Sequence, residues 1–75
     1  MFTVTQHGRF TDTKRTCIPT WPAAVGEAAQ FVNAATTDAA QRVELLAAVE
    51  AAAGTGEPVA LPNGKTLEID HTEGN

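Results

Sequence analysis

The sequence has little cysteine, few aromatic side chains and no long apolar run. A single cysteine, Cys17, stands among 75 residues, which excludes an intrachain disulfide framework and a cysteine-rich zinc site. No stretch approaches the ~18 consecutive apolar residues of a membrane span, and the N-terminus lacks the basic and apolar run of a secretory leader. We therefore expect a soluble, cytoplasmic protein without a membrane partner.

Catalytic and ligand-binding motifs are also missing. The chain carries no glycine-rich phosphate loop, nucleophile elbow or metal-binding helix motif. His7 falls in a predicted turn and His71 in a predicted tail, and neighbouring Asp70 and His71 would point to opposite faces of a strand. The sequence therefore predicts a protein that is not an enzyme, with no cofactor and no metal site. Cys17, beside Ile18 and near Arg15, is expected to be a small buried apolar side chain rather than a reactive thiol.

The length bounds the architecture. A chain of 75 residues makes one domain, whose core only just compensates for the entropy of ordering the chain. We predict a single α+β domain over residues 1–70 and a frayed tail over residues 71–75. A core of this size favours either idealised local structure or extra burial by self-association.

The first predicted hairpin begins with the alternating stretch "FTVT" at residues 2–5. A three-residue loop over residues 6–8 would pair Val4 with Phe10 and put Phe2 on the same face. Gly8 would then take the left-handed position of the turn.

The second predicted hairpin lies in "VALPNGKTLEI", residues 59–69. A loop of Pro62-Asn63-Gly64 pairs Val59 with Leu67 and gives four large apolar side chains a common face, with Gly64 at positive φ. Both hairpins are therefore predicted to share one design.

The middle of the chain is predicted to be helical. In "TWPAAVGEAAQFVNAA" an apolar stripe recurs every three or four residues, and in the helix that follows the Asp38 cap an apolar arc runs towards Gly54. The stripe is Trp21, Val25, Ala28, Val32 and Ala35, and the arc is Leu45, Leu46, Val49, Ala52 and Ala53. The predicted order is ββααββ, an antiparallel sheet of two hairpins with two helices on one face.

Positive charge is concentrated near the N-terminus of this acidic chain. Three of the five basic side chains lie within "RFTDTKRT", residues 9–16, although the net charge is −4. The segment has few apolar residues after Phe10, which suits an edge strand. Its cations either guard that edge against aggregation or select an acidic partner that pairs with the strand.

Two further residues are ambiguous from the sequence. Arg42 falls in the apolar arc, where it either snorkels, pairs with an acid such as Glu27, or marks a contact surface. Trp21 belongs either to the core or to an interface. The predicted partner-binding residues are Arg9, Thr11, Thr13, Lys14, Arg15, Trp21 and Arg42.

These features favour a small accessory protein that binds another protein through an edge strand or a helical face. The abundance of Ala, Thr, Gly and Val is typical of GC-rich bacterial or phage genes, so we expect a phage or mobile-element origin. The expected partner is a second copy, giving a homodimer, or a host or virion protein. The alternatives are a nucleic-acid-binding module that uses residues 9–16, and a subunit of an enzyme. Three cations with Phe10 as the one stacking residue make a poor phosphate-binding surface.

Overall fold

A computed structural model describes residues 1–71, and the predicted α+β fold is confirmed. The elements are β1 (Phe2–His7), β2 (Asp12–Ile18), α1 (Trp21–Ala35), α2 (Ala39–Ala52), β3 (Val59–Ala60) and β4 (Thr66–His71). His71, placed by the sequence in the tail, is the last residue of β4. The rest of the predicted tail, residues 72–75, lies outside the described residues.

The sheet joins the two hairpins through their inner strands. Its four strands are antiparallel in the order β2-β1-β4-β3, and β1 pairs with β4 so that Val4 lies opposite Ile69. Helix α1 packs over β1, β2 and β4, whereas α2 packs over β3 and β4. Neither helix, within residues 1–71, has the length and apolarity that crossing a bilayer requires.

The core lies between the sheet and the helices. Its buried members are Val4, Ile18, Ala24, Ala28, Val32, Val49, Leu61, Leu67 and Ile69. Ala24 and Ala28 are fully buried, and their small side chains allow α1 to approach the sheet closely. The buried line of α1 thus passes through Ala24 rather than Val25, which is half-buried at its margin.

Side-chain caps define where the helices begin. The Thr20 hydroxyl accepts a hydrogen bond from the Ala23 amide at 3.3 Å, and Asp38 Oδ1 accepts one from the Gln41 amide at 3.1 Å. The predicted Asp38 cap is therefore present, and Thr20 caps α1 in the same way. The Thr36 hydroxyl donates to Gln41 Oε1 at 2.7 Å and accepts a hydrogen bond from the Asp38 amide.

The C-terminal hairpin has the predicted register. Val59 pairs with Leu67, and the Leu61 amide donates to the Lys65 carbonyl at 2.7 Å, which closes a three-residue loop. Gly64 has φ of +83°, the left-handed conformation that this loop requires. The apolar pattern and the turn residues agree here, which explains why the prediction succeeds.

The N-terminal hairpin differs from its prediction. Strand β1 continues to His7, which pairs with Asp12, so the connection spans residues 8–11 and Phe10 is 89% exposed at its tip. Gly8 is not at positive φ. Its amide instead donates to the Thr11 carbonyl at 2.9 Å, and a Cβ at this position would overlap that carbonyl oxygen.

The physical reason is the pairing of β1 with β4. Gln6 lies opposite Leu67, and both Thr5 and Gln6 are buried although they are polar. This pairing extends β1 beyond the alternating "FTVT" and moves the turn towards Phe10. The first hairpin therefore does not share the design of the second.

Candidate partner-binding edge

Strand β2 forms one edge of the sheet, as the sequence predicts. It spans seven residues, Asp12–Ile18, and pairs with β1 alone among the described strands. Six of the seven residues are at least partly exposed, and Ile18 is the one that is buried. A long strand with one unpaired side is a template for another strand.

The hydrogen-bond pattern shows which backbone groups of β2 turn outward. Amides in an antiparallel strand point alternately to its two sides. The Thr11 carbonyl accepts the Gly8 amide and therefore points towards β1. By the same alternation, the backbone groups of Thr13 and Arg15 also point towards β1. The backbone groups of Asp12 and Lys14 therefore point away from the sheet.

The side chains of β2 divide between the two faces of the sheet. Lys14 lies opposite Thr5 on the face without helices and is exposed. Arg15 lies opposite Val4 on the helical face, where its Nε is 3.7 Å from Glu27 Oε2 and its guanidinium is 5.6 Å from the Phe31 ring centroid. Lys14 is thus available to a partner, whereas Arg15 is already held by α1.

The turn before β2 presents an exposed aromatic side chain. The Arg9 guanidinium lies 5.5 Å from the centroid of the Phe10 ring, and Thr11 completes an exposed tip. Phe10 is missing from the predicted partner-binding residues because the apolar alternation assigned it to the core. The polar run over residues 11–16, which leaves Phe10 without apolar neighbours further along its own strand, is the signal that could have identified it.

Trp21 packs within the molecule. It is half-buried at the start of α1, and its ring centroid lies 5.5 Å from that of Phe2. Phe2 in turn contacts the His71 ring at 4.9 Å between centroids. These contacts favour the packing interpretation of Trp21 over that of an interface anchor.

Arg42 caps the C-terminal end of α1. Its Nε donates to the Thr36 carbonyl at 2.8 Å, and its Nη2 donates to the Asn33 carbonyl at 3.2 Å. The last turn of α1 is uncharged, so this guanidinium supplies the positive charge that carbonyls at a helix end attract. The apparent misfit of Arg42 in the apolar arc is explained by this contact rather than by a pair with Glu27.

His7, on β1, contacts side chains of both neighbouring strands on the face of the sheet without helices, called the open face below. Its Nδ1 lies 3.4 Å from Asp12 Oδ2 on β2, and its Nε2 lies 3.2 Å from Glu68 Oε1 on β4. The hydrogen bond to Glu68, and then that to Asp12, raise the pKa of His7 above its usual 6.5. No group of three or more His, Cys, Asp or Glu side chains within residues 1–71 is arranged to hold a metal ion.

Cys17 is exposed rather than buried, so that prediction is wrong. The β1–β2 register shifts between Val4 opposite Arg15 and Phe2 opposite Ile18, and Cys17 has φ of +59° at this bulge. The extra residue turns the thiol outward and interrupts the ladder. The regular part of β2 therefore ends near Arg15.

Comparison with known protein families, with characterised proteins and with solved structures finds no match to this chain.

Proposed function

We propose that this protein is a small, non-catalytic accessory protein that binds a partner protein by adding a strand to β2. The observation that carries the proposal is the seven-residue edge on which Asp12 and Lys14 turn their backbone groups outward. In strand addition, main-chain hydrogen bonds supply affinity and the neighbouring side chains supply selectivity. A cytoplasmic role in a phage or mobile element, with a second copy or a host or virion protein as partner, is part of the same proposal.

The side chains around the edge define the chemistry of the partner. Lys14 and Arg9 are exposed cations and favour carboxylates across the junction. Phe10 is 89% exposed, and covering its ring with apolar atoms contributes about 2 kcal/mol. The proposed partner strand therefore places a carboxylate opposite Lys14 and a side chain that covers part of the Phe10 ring.

The test removes one outward backbone donor. Lys14→Pro deletes the N–H of a residue whose amide points away from β1, whereas Thr13→Pro would break the β1–β2 ladder itself. Lys14→Thr is the matched control, because it removes the charge and keeps the donor. We expect peptides selected from a displayed random library to bind the wild type and Lys14→Thr but not Lys14→Pro, as measured by calorimetry.

The result also separates the proposal from nucleic-acid binding, which the exposed Arg9 and Phe10 favour as a second candidate. Strand pairing should persist at moderate salt, whereas affinity for a single-stranded oligonucleotide falls steeply with salt. Equal peptide binding by Lys14→Pro and Lys14→Thr, with both variants folded, would contradict strand addition. Salt-sensitive oligonucleotide binding that requires Arg9 and Phe10 would favour the second candidate.

A further inference from the structure

We infer that the partner strand is β2 of a second copy, paired antiparallel about a two-fold axis at Thr13. The inference rests on the proposed strand addition and names its partner. Such an axis, perpendicular to the sheet, generates a continuous eight-stranded sheet from two four-stranded ones. Both helical layers then lie on the same face, and the face without helices stays continuous across the junction.

The register about Thr13 satisfies the outward backbone groups of β2. It places Asp12 opposite Lys14 of the second copy, and Lys14 opposite Asp12 of the second copy. Both residues direct their amides and carbonyls away from β1, so each of these pairs exchanges two main-chain hydrogen bonds. The regular part of the edge is thereby paired.

Charge complementarity selects this register. Asp12 and Lys14 project on the open face of each copy, so the Thr13-centred pairing sets a carboxylate beside an ammonium twice. A two-fold axis at Lys14 would place two lysines opposite each other, and an axis at Asp12 would do the same with two carboxylates. An axis at Arg15 would place two guanidinium groups opposite each other. An axis beyond Arg15 would fall at the bulge, where Cys17 has φ of +59°.

The exposed tip of the N-terminal hairpin gains a neighbour in this arrangement. The register brings Phe10 opposite Thr16 of the second copy, beyond the paired segment. The ring that is 89% exposed in one copy would then lie along the partner strand. A chain whose core is small for its length gains burial in this way.

The experiment exploits the symmetry of the proposed pairs. In a homodimer of the Asp12→Lys variant, both cross-strand pairs consist of two lysines. In a homodimer of the Lys14→Asp variant, both pairs consist of two aspartates. A one-to-one mixture of the two variants restores opposite charges at both positions. We expect sedimentation to show a wild-type dimer at ~100 μM, roughly tenfold weaker self-association of each variant, and recovery of the dimer in the mixture.

Backbone pairing is tested separately from charge. Lys14→Pro should abolish the dimer, and Lys14→Thr should retain most of it, with circular dichroism confirming that each variant is folded. Unchanged dimers of both charge variants, or a mixture no tighter than either alone, would overturn the Thr13 register. A monomeric wild type at ~100 μM would overturn self-association. The proposed function fails on a different result, namely peptide binding that is insensitive to Lys14→Pro.

Discussion

The two edges of the sheet are built differently. Strand β3 has only two residues, Val59–Ala60, and lies between Pro58 and Pro62, which have no amide to donate. Next to it, the Gly54 amide donates to the Ile69 carbonyl at 3.0 Å, so the turn after α2 satisfies part of the β4 edge. Strand β2, by contrast, spans seven residues and keeps its outward side unpaired within residues 1–71.

This difference indicates that the two edges would respond differently to an added strand. Because β3 is short and flanked by prolines, it offers few backbone hydrogen-bonding groups to any added strand. The β2 edge carries Lys14 and ends in a bulge at Cys17, devices that limit pairing rather than prevent it. Under the proposed function, a strand with the right charge and register can still pair with β2.

The largest effect is expected at the turn that leads into β2. Gly8→Ala would push a Cβ into the Thr11 carbonyl oxygen and break the hydrogen bond that closes the hairpin. We expect the free energy of unfolding, measured with urea, to fall by about 2 kcal/mol. Gly26→Ala is the control, because Gly26 lies exposed in α1 with open space around it, and it should stabilise by about 0.5–1 kcal/mol. Similar effects of the two substitutions would refute the close approach at Gly8.

The turn beside β3 is constrained by conformation instead of space. A Cβ at Gly64 meets nothing within 4 Å, but φ is +83°. Gly64→Val should therefore cost about 1.5 kcal/mol, whereas Gly64→Asn, which tolerates this conformation, should cost well under 1 kcal/mol. Asn63→Asp should be nearly silent, because its carboxylate can still accept from the Lys65 amide. Equal losses for Gly64→Val and Gly64→Asn would show that φ is not the constraint.

The agreement between the predicted and observed turns follows the same division. At the β3 end, Pro62, Asn63 and Gly64 fix the turn locally, so local signals suffice for the register. At the β2 end, the register depends on Gln6 pairing with Leu67, a contact between distant parts of the chain. The apolar alternation around Phe10 carries no information about that contact.

The candidate site was predictable to a similar extent. The sparse apolar content of residues 11–16 correctly indicated an edge, but not which side each residue faces. Arg15 and Lys14 are neighbours with similar charge, yet the register holds Arg15 against Glu27 and leaves Lys14 exposed. The position of Arg42 in the apolar arc of α2 does not reveal its role, because its guanidinium binds carbonyls at the end of another helix, α1.

Cations in the helical layer should therefore matter to stability more than the cation on the open edge. Arg42→Ala removes two hydrogen bonds to the end of α1 and should lower the free energy of unfolding by about 1 kcal/mol. Lys14→Ala should change it by less than about 0.5 kcal/mol in the monomer, measured in dilute solution by thermal and urea melts. A larger loss for Lys14→Ala would place its main contact inside the molecule and weaken the proposed role of the edge.

The smallest effect is a pH dependence at His7, which ties the open edge to the centre of the sheet. Its pKa is raised in the folded protein, chiefly by Glu68 and then by Asp12, so folding favours the protonated ring. The stabilisation is fully present below pH 6.5, the ordinary value, and is lost as the pH rises through the folded-state pKa. The stability difference between the wild type and His7→Gln should therefore shrink from pH 6 to pH 8 in urea titrations. Glu68→Gln should flatten this pH dependence more than Asp12→Asn does. The opposite ranking would show that Asp12 on β2, rather than Glu68 on β4, is the main carboxylate that stabilises protonated His7.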